Sequence, residues 1–598
     1  MRRAERPGLS PQASSINYAA VTEEVFRVSL TLLAVGFLLV LVAAYRLYGG
    51  WVARQFALDD SRRTPAHEVN DGVDFVPTRP FYLFGQHFSA IAAAGPIAGP
   101  IIACQAFGWL PCLLWIGFGV VLIGAVHDFA SLAASVRHGA TSIAEITREH
   151  LGNKAGRAMM GFIWIALVYV IVAFADITAG TFVGGSEELR ATAVNFNPGG
   201  AVAAASILYL GLSVVLGLVE KYLKPPLWLT TVIFVPAAFA VSWVGTYASN
   251  VFVLDHKTWG LLILVYCCVA SMVPVWALLQ PRGYLGGFIL YAAIALGIVG
   301  VFFGGYEIQQ PAFKGWDVSG MTGTLFPFLF VTIACGACSG FHGLVCSGTT
   351  SKQIDRESHI KPVGYGAMLA EGFVALIALV TIMIVVPGSI AKGTAPGTIY
   401  GNGIGQFLTL IIGEGQLAFA TTFGAMAFST FVFDTLDVCT RLGRYIVQEL
   451  FGWRGRWGAL TGTLLTVALP LYFITFAPPN SWTKFWTLFG ASNQLLAALT
   501  LLSITAWLYQ ARRRIAFTLV PMVFVLVITL WALVALVAGN LRATKIMEGS
   551  LDVELINAIA SAALVLLALY VALLAIFKLR GDRRRGTLVP AHPATSLE

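Results

Sequence analysis

The sequence predicts an all-α polytopic membrane protein of about 15 transmembrane helices, with an inverted-repeat core containing broken helices. Three observations carry this. Of 598 residues, 57% are hydrophobic and only 11% charged, with a mean hydropathy of +0.78, whereas a soluble domain carries roughly 25% charged residues. Apolar stretches of about 20 residues, the length that crosses ~30 Å of hydrocarbon as a helix, recur along the whole chain. The loops between them alternate in Lys and Arg content.

Taken in order, the spans are centred on 26–48, 87–107, 109–136, 158–184, 198–219, 226–246, 258–280, 283–304, 325–346, 364–386, 415–440, 459–476, 485–508, 515–538 and 555–577. The tail after 577 holds "KLRGDRRR", which places it in the cytoplasm. Counting back, the cytoplasmic set of loops holds 26 Lys and Arg and the opposite set 7. This count sends the N-terminus outside, against Arg2, Arg3 and Arg6, which Arg54, Arg62, Arg63 and Arg79 of the next loop outvote. No apolar stretch precedes Val25, so the first span is retained and is not a cleaved signal. The net charge of +8 belongs to orienting loops and implies no nucleic acid. The eight cysteines fall in apolar spans, where thiols act as small hydrophobes, so no disulfide framework is expected. In 141–152, Ser142 and Glu145 have capping-box spacing ahead of a short amphipathic helix.

The span 87–107 contains "GPIAGP", with Gly95-Pro96 and Gly99-Pro100. Each proline removes a backbone donor. Backbone breaks at membrane depth are tolerated where they line a cavity or are buried in protein, and in secondary transporters they hold substrate and coupling ion. The alternative is a structural kink packed through small residues. Two later segments are candidates for interruption and run in the opposite direction: 269–280, with Pro274 and Trp276, and the Gly/Cys/Ser/Thr-rich 331–352. Pairing 87–107 with 258–280 gives a five-plus-five core, with 87–246 and 258–440 as repeats. It is preceded by 1–86 (a tail, one helix and a loop), and followed by about five C-terminal helices within 459–577 and a basic tail, 578–598. Pairing with 325–346 gives seven plus seven. The first is preferred.

Ionisable residues inside spans are functional candidates: His87, His127, Asp128, Asp176, His342, Glu371, Asp434 and Asp437. Asp128, His342 and Glu371 are the candidates for proton coupling. Asp434 and Asp437, followed by Arg441 and Arg444 at helical spacing, read as a salt-bridged helix end. Ser339 and Ser347 suggest a cation cradle for Na⁺, though glycine packing explains the small residues equally well. Cys335, Cys338, His342 and Cys346 are expected along one helix face over three turns, which cannot close a tetrahedron around a metal. No nucleotide-binding or zinc-protease motif occurs in the short loops, so no enzyme, cofactor or firm metal site is expected.

The stretches "DGVDFVPTRPFYLFGQHFSAIAAAGPIAGP" (71–100), "GAVHDF" (124–129), "FPFLFVTIACGACSGFHGLVCSGTTSK" (326–352), "GYGAMLAEGFVAL" (364–376) and "LFGASNQLLA" (488–497) resemble the carbon starvation protein A family, over about residues 40–540. The resemblance implies a bacterial inner-membrane transporter of pyruvate, by proton symport, or of peptides, with the five-plus-five fold of the amino acid–polyamine–organocation transporters. The positions that match are His87, Gly95, Pro96, Gly99, Pro100, Asp128, Ser339, His342, Glu371, Asn493 and Gln494. The resemblance further implies that, against longer relatives, an N-terminal span is missing and the outer loop 387–414 is short. The expected function is therefore proton-coupled import of a small carboxylate, pyruvate first, through a substrate site of His87, Ser89, Gly95, Pro96, Gly99, Pro100, Trp276, Asn493 and Gln494. The alternatives are a peptide importer, with Asp176 or Glu371 meeting the peptide amine, a sodium-coupled version, and a pyruvate-binding receptor without net transport.

Overall fold

The computed structural model describes residues 29–585 except 73, 93, 184–195, 319–322, 392, 479–480 and 544–551. Arg2, Arg3 and Arg6, and the tail beyond Arg585, lie outside the described residues. The described residues are mostly helical, and the strands among them are one pair of two residues each, Asp317–Val318 and Gly323–Thr324, beside a single bridge between Thr78 and Ile354. In chain order the helices that matter are α1 (Leu30–Arg46), α2 (Tyr48–Phe56), α3 (Pro80–Ile91), α4 (Gly95–Phe107), α5 (Trp109–Gly119), α6 (Ala125–Arg137), α7 (Ile143–Leu151), α8 (Asn153–Val183), α9 (Pro198–Tyr222), α10 (Leu227–Tyr247) and α11 (His256–Met272). They continue as α12 (Leu279–Phe303), α13 (Leu325–Thr332), α14 (Gly340–Gly348), α15 (Ala367–Met383), α16 (Pro396–Ile412), α17 (Leu417–Phe451), α18 (Gly455–Phe476), α19 (Trp482–Gln510), α20 (Ala516–Ala543) and α21 (Val553–Arg585).

Among the described residues, 12 helical stretches are long and apolar enough to cross a membrane, and the bent pair α3–α4 makes a thirteenth span. The remaining two predicted spans are pieces. At 17 residues, α11 reaches only ~25 Å. The stretch 325–348 is interrupted, because its Gly/Cys/Ser-rich linker does not hold a helix between α13 and α14. Every predicted span thus has a helical counterpart, but fewer are continuous than expected. Four helices follow α17, not five: α18 to α21.

The predicted outer loop 387–414 contains a helix the hydropathy pattern hid. Gly397, Gly401 and Gly405 give α16 a glycine face at four-residue spacing, and it packs antiparallel along the first half of α17. A Cβ at Gly401 would stand 2.6 Å from Ala425 Cβ, and one at Gly405 2.7 Å from Thr421 Cγ2. Small residues let two helices approach this closely, while lowering the apolar content that marks a span.

Loop contacts bear out the alternation of sides. On the basic face, Arg137 bridges to Glu357 at 2.9 Å, the Asp59 amide donates to Glu357, His67 meets Asp355, and Gln510 joins His150 to Asp582. On the opposite face, Trp109 and Lys314 bond across to Pro311 and Phe107, and Gln309 donates to Met383. α1 runs from that opposite face, where Thr31 donates to the Val301 carbonyl, towards the basic face at Ala57, which accepts from Arg137. Its direction is the one the charge count gave. Ser142 accepts from the Glu145 amide at 3.2 Å, so the predicted cap of α7 is formed.

Candidate proton-coupling site at two broken helices

Two interrupted spans meet, and their glycines are what allow it. α3 and α4 are bent by 45°. Pro96 sits in the first turn of α4, where its missing N–H costs nothing. A Cβ on Gly95 would lie 2.4 Å from Cys335 Sγ, and one on Gly99 2.7 Å from the Thr332 carbonyl oxygen. "GPIAGP" is therefore packed against the α13–α14 linker, which combines the two readings of the motif: a true break, held by small-residue packing.

That linker is anchored from α5 and α19. Trp115 Nε1 donates to the Ile333 carbonyl at 3.1 Å, Trp486 Nε1 to Thr332 at 3.0 Å and Gln494 Nε2 to Phe330 at 2.9 Å. Asn493 Oδ1 accepts from the Phe341 amide at 2.9 Å and from Ser339 Oγ at 3.3 Å. Asn493 thus caps the start of α14, satisfying a donor that a helix end leaves open. These contacts give Asn493 and Gln494 a positioning role in this conformation, not a free substrate-facing one. The expectation that Cys335, Cys338, His342 and Cys346 share one helix face is corrected, since Cys335 and Cys338 lie in the non-helical linker.

Beside the linker, fully buried ionisable groups form a chain. His127 Nδ1 lies 2.7 Å from Asp128 Oδ1, His342 Nδ1 lies 2.9 Å from Asp128 Oδ2, and His342 Nε2 lies 3.3 Å from Glu371 Oε2. Each carboxylate rides on a span with a π-helical turn: Val120–Gly124 just before Asp128 and Lys361–Gly366 just before Glu371. Such turns shift the helical register and recur at functional sites. Gly124 and Gly364 permit the approach, because a Cβ on the first would meet the Ala337 carbonyl oxygen at 2.4 Å and on the second Phe129 Cα at 3.0 Å. His87 Nδ1 contacts Thr350 Oγ1 at 2.9 Å. His87 Nε2, His127 Nε2 and both carboxylate oxygens of Glu371 are buried without a hydrogen-bond partner.

The arrangement has a definite chemical capacity. Both ring nitrogens of His342 face carboxylate oxygens, Nδ1 in a hydrogen bond with Asp128 and Nε2 within ion-pair distance of Glu371. An imidazole accepts a proton at one nitrogen and releases one from the other, so His342 can pass a proton between Glu371 and Asp128. One imidazolium neutralises one carboxylate, and the second requires another proton or a cation.

The structure brings Asp128, His342 and Glu371, each a separate candidate from the sequence, into one chain of contacts and adds His127 to it. Its position next to Asp128 was the available signal. Ser89 faces Gly287 of α12, 3.7 Å from where a Cβ would stand. Trp276 is not brought to the cluster. It lies in the α11–α12 connection under Lys221, whose Nζ is 3.6 Å from the ring centre. The Ser339/Ser347 cradle is not formed either. Ser347 bonds its own helix at Gly343, and eight residues of helix separate the pair by ~12 Å. Asp434 and Asp437 do not pair with Arg441 and Arg444, which donate instead to the carbonyls of Ala270, Val273 and Ser271. The carboxylates pair with Arg282, at 2.6 and 2.5 Å. The hydropathy pattern leaves Arg282 between the spans 258–280 and 283–304, whereas α12 already starts at Leu279 and buries it completely.

Comparison with known proteins adds identity to this geometry. The family described as Carbon starvation protein CstA matches residues 28–402 and 388–532. "Peptide transporter CstA" of Campylobacter jejuni is 33% identical, covering 84% of this chain and 80% of its own. The protein of the same name from Bacillus subtilis is 33% identical over 82% and 87%. "Pyruvate/proton symporter BtsT" of Escherichia coli is 31% identical over 83% and 80%. Among solved structures, a manganese transporter of Eremococcus coleocola aligns over 85% of this chain and 98% of its own, at 14% identity and a TM-score of 0.43, too low to carry an argument.

Proposed function

The chain belongs to the carbon starvation protein CstA family, and from that premise we propose that it is a secondary active transporter importing a small carboxylate, pyruvate first, in symport with protons. One observation carries the coupling ion: the buried Asp128–His342–Glu371 chain where the two broken helices meet. Every side chain in it is 0–1% exposed, so a proton held there is closed off from both faces, as alternating access requires of an occluded state. Glu371 Oε1, His127 Nε2 and His87 Nε2 are the open positions at which substrate or a second proton is received. The protein acts in the bacterial inner membrane, with its basic face, and so the end of α21, in the cytoplasm.

Alternating access needs two opposed halves, and the packing supports a five-plus-five pairing with a changed register. α3–α4, α5–α6, α8, α11 and α12 form one repeat, and α13–α14, α15, α17, α18 and α19 the other, with α9–α10 as an inserted hairpin. The two broken spans run in opposite directions. α3 packs on α12 as α13 packs on α19, and α8 on α18 as α17 on α11. The linking helices match as well: α7 bridges α8 and α19, while α16 bridges α17 and α12. On this reading 87–107 pairs with 325–346 and not with 258–280, and the insertion replaces the seven-plus-seven count.

A peptide substrate is the second reading, favoured by the names of the relatives from Campylobacter jejuni and Bacillus subtilis. Uptake of radiolabelled pyruvate into proteoliposomes tests the choice. Accumulation driven by an imposed proton gradient, not by a sodium gradient, and competed by unlabelled pyruvate but not by dipeptides, is the expected result. Dipeptide accumulation without pyruvate uptake replaces the substrate, and sodium-driven uptake replaces the coupling ion.

A further inference from the structure

On the basic face, His138 at the end of α6 and His150 on α7 turn their Nε2 atoms towards each other at 2.9 Å. What stands behind each ring fixes the protons. His138 Nδ1 lies 2.6 Å from the Ala134 carbonyl oxygen, which only accepts, so that nitrogen carries its hydrogen. His150 Nδ1 lies 2.6 Å from Gln510 Oε1. The amide is held in that orientation because its Nε2 donates to Asp582 Oδ2 at 3.0 Å and to the His150 carbonyl at 3.3 Å, both acceptors. Both rings are therefore protonated on Nδ1, and with both imidazoles neutral their two Nε2 lone pairs point at each other. Two lone pairs at this distance repel unless something electrophilic lies between them.

We propose that His138, His150 and Glu149 form a binding site for a divalent transition-metal ion of the zinc class. A carboxylate oxygen of Glu149 falls with the two imidazole nitrogens in a group whose ligand atoms lie within 4.8 Å of one another. Two imidazoles, one carboxylate and a water make a four-coordinate set that zinc accepts, with Zn–N of about 2.0–2.1 Å and hence an N···N separation near ~3.3 Å. Closing on a metal asks the rings to part by only a few tenths of an ångström, and both side chains are partly exposed and able to do so. The outer contacts are those of metal-binding histidines, which give their second N–H to a carbonyl or carboxyl oxygen that fixes the tautomer. Trp507 backs the His138 ring, with centroids 5.1 Å apart. The site would tie the α6–α7 corner to the end of α19 and, through Asp582, to α21. It is separate from the buried chain of Asp128 and Glu371 and from any assignment of substrate.

The test uses untagged full-length protein in detergent, stripped with a chelator and titrated with Co²⁺. One equivalent is expected to bind at micromolar concentration or below, with the visible absorption of a four-coordinate ion. His138→Ala and His150→Ala each lower the affinity at least ~100-fold by deleting a ligand, and Gln510→Ala, which removes only a positioning contact, about 10-fold. Affinity unchanged in the His138→Ala/His150→Ala double variant overturns the proposal. So does absence of Co²⁺ binding in the unaltered protein, which would leave the rings sharing a proton instead. Should the variants lose their monodisperse elution profile, pulsed EPR of the Cu²⁺-loaded unaltered protein counts the coordinated imidazoles, and any count other than two overturns it.

Discussion

Two buried ionic clusters with similar inventories serve opposite ends. In one, Asp128 and Glu371 flank His342; in the other, Asp434 and Asp437 flank Arg282. Each places two carboxylates on one basic side chain, and all six side chains are buried except that of Asp434, which is 24% exposed. The difference is the cation. Arginine does not give up its proton in proteins and holds carboxylates in a fixed fork, whereas histidine changes charge under mild conditions. The arginine cluster is also tied in by two tyrosines. Tyr266 accepts from Arg282 at 2.6 Å and donates to Asp437 at 2.8 Å, and Tyr209 donates to the Arg282 carbonyl at 2.9 Å. Among the described residues no tyrosine ties in the histidine cluster, and both clusters keep buried atoms without a hydrogen-bond partner: Arg282 Nη2 and Asp437 Oδ1 in one, both Glu371 oxygens and His127 Nε2 in the other. On the proposed function, the arginine cluster stays as it is and the histidine cluster changes protonation.

The sharpest way to break this contrast is at Glu371. Glu371→Gln keeps the shape and removes the ionisable oxygen, so proton-driven accumulation should fall at least ~100-fold in proteoliposomes, in line with removing a positioned acid–base group. Exchange of labelled for unlabelled substrate at equal concentrations needs no net proton movement and should persist. If accumulation survives, the proton travels elsewhere and the histidine cluster is structural.

Arg282→Met should do the reverse. Breaking a buried pair by deleting one partner costs about 3–5 kcal/mol, and here two carboxylates lose their cation. A lowered unfolding temperature is expected, with the ratio of protons to substrate unchanged in whatever protein folds. A changed ratio would move the arginine cluster into the coupling path. Removing one carboxylate as well, in Arg282→Met/Asp437→Asn, should return part of the lost stability.

At the meeting of the broken helices the expected effects are smaller. Asn493→Ala uncaps α14 and leaves a buried amide without its acceptor, which costs about 1–3 kcal/mol. Because α14 carries His342, proton coupling should weaken along with stability. Gly95→Ala puts a methyl group onto Cys335, and overpacking of this kind costs about 1–3 kcal/mol. Cys335→Gly in the same chain should relieve it, since both Cβ and Sγ of Cys335 lie in the way, at 2.6 and 2.4 Å.

How much of this was legible in the sequence depended on distance along the chain. The spans, their alternation and the cap at Ser142 are local patterns of hydropathy, charge and spacing, and they appear where expected. Asp128, His342 and Glu371 stood out one at a time because an ionisable residue in a span is costly. Nothing local said that they touch, since 214 residues separate Asp128 from His342. Helical spacing, taken alone, assigned Arg441 and Arg444 to Asp434 and Asp437. The actual partner, Arg282, is 152 residues from Asp434 and sits at a helix start that was read as a loop. α16 was missed because its glycines, the residues that let it pack, are also those that lower apolar periodicity.

Trp276 separates the two regions with the least disturbance. Mid-span on hydropathy, it was a reasonable substrate contact. In the structure it belongs to the arginine end of the molecule, in the α11–α12 connection just before the helix that carries Arg282, with its ring under Lys221 and its carbonyl oxygen 2.7 Å from the position of a Cβ on Gly217 of α9. Trp276→Leu keeps an apolar side chain and removes the ring, forfeiting a cation–π contact worth about 0.5–1 kcal/mol at a partly exposed site. The apparent affinity for pyruvate in the uptake assay should therefore stay within twofold, as should the proton ratio, with only a slight fall in unfolding temperature. A tenfold loss of affinity would mean that the substrate path reaches the arginine end, and the division between a part that changes protonation and a part that holds still would have to be redrawn.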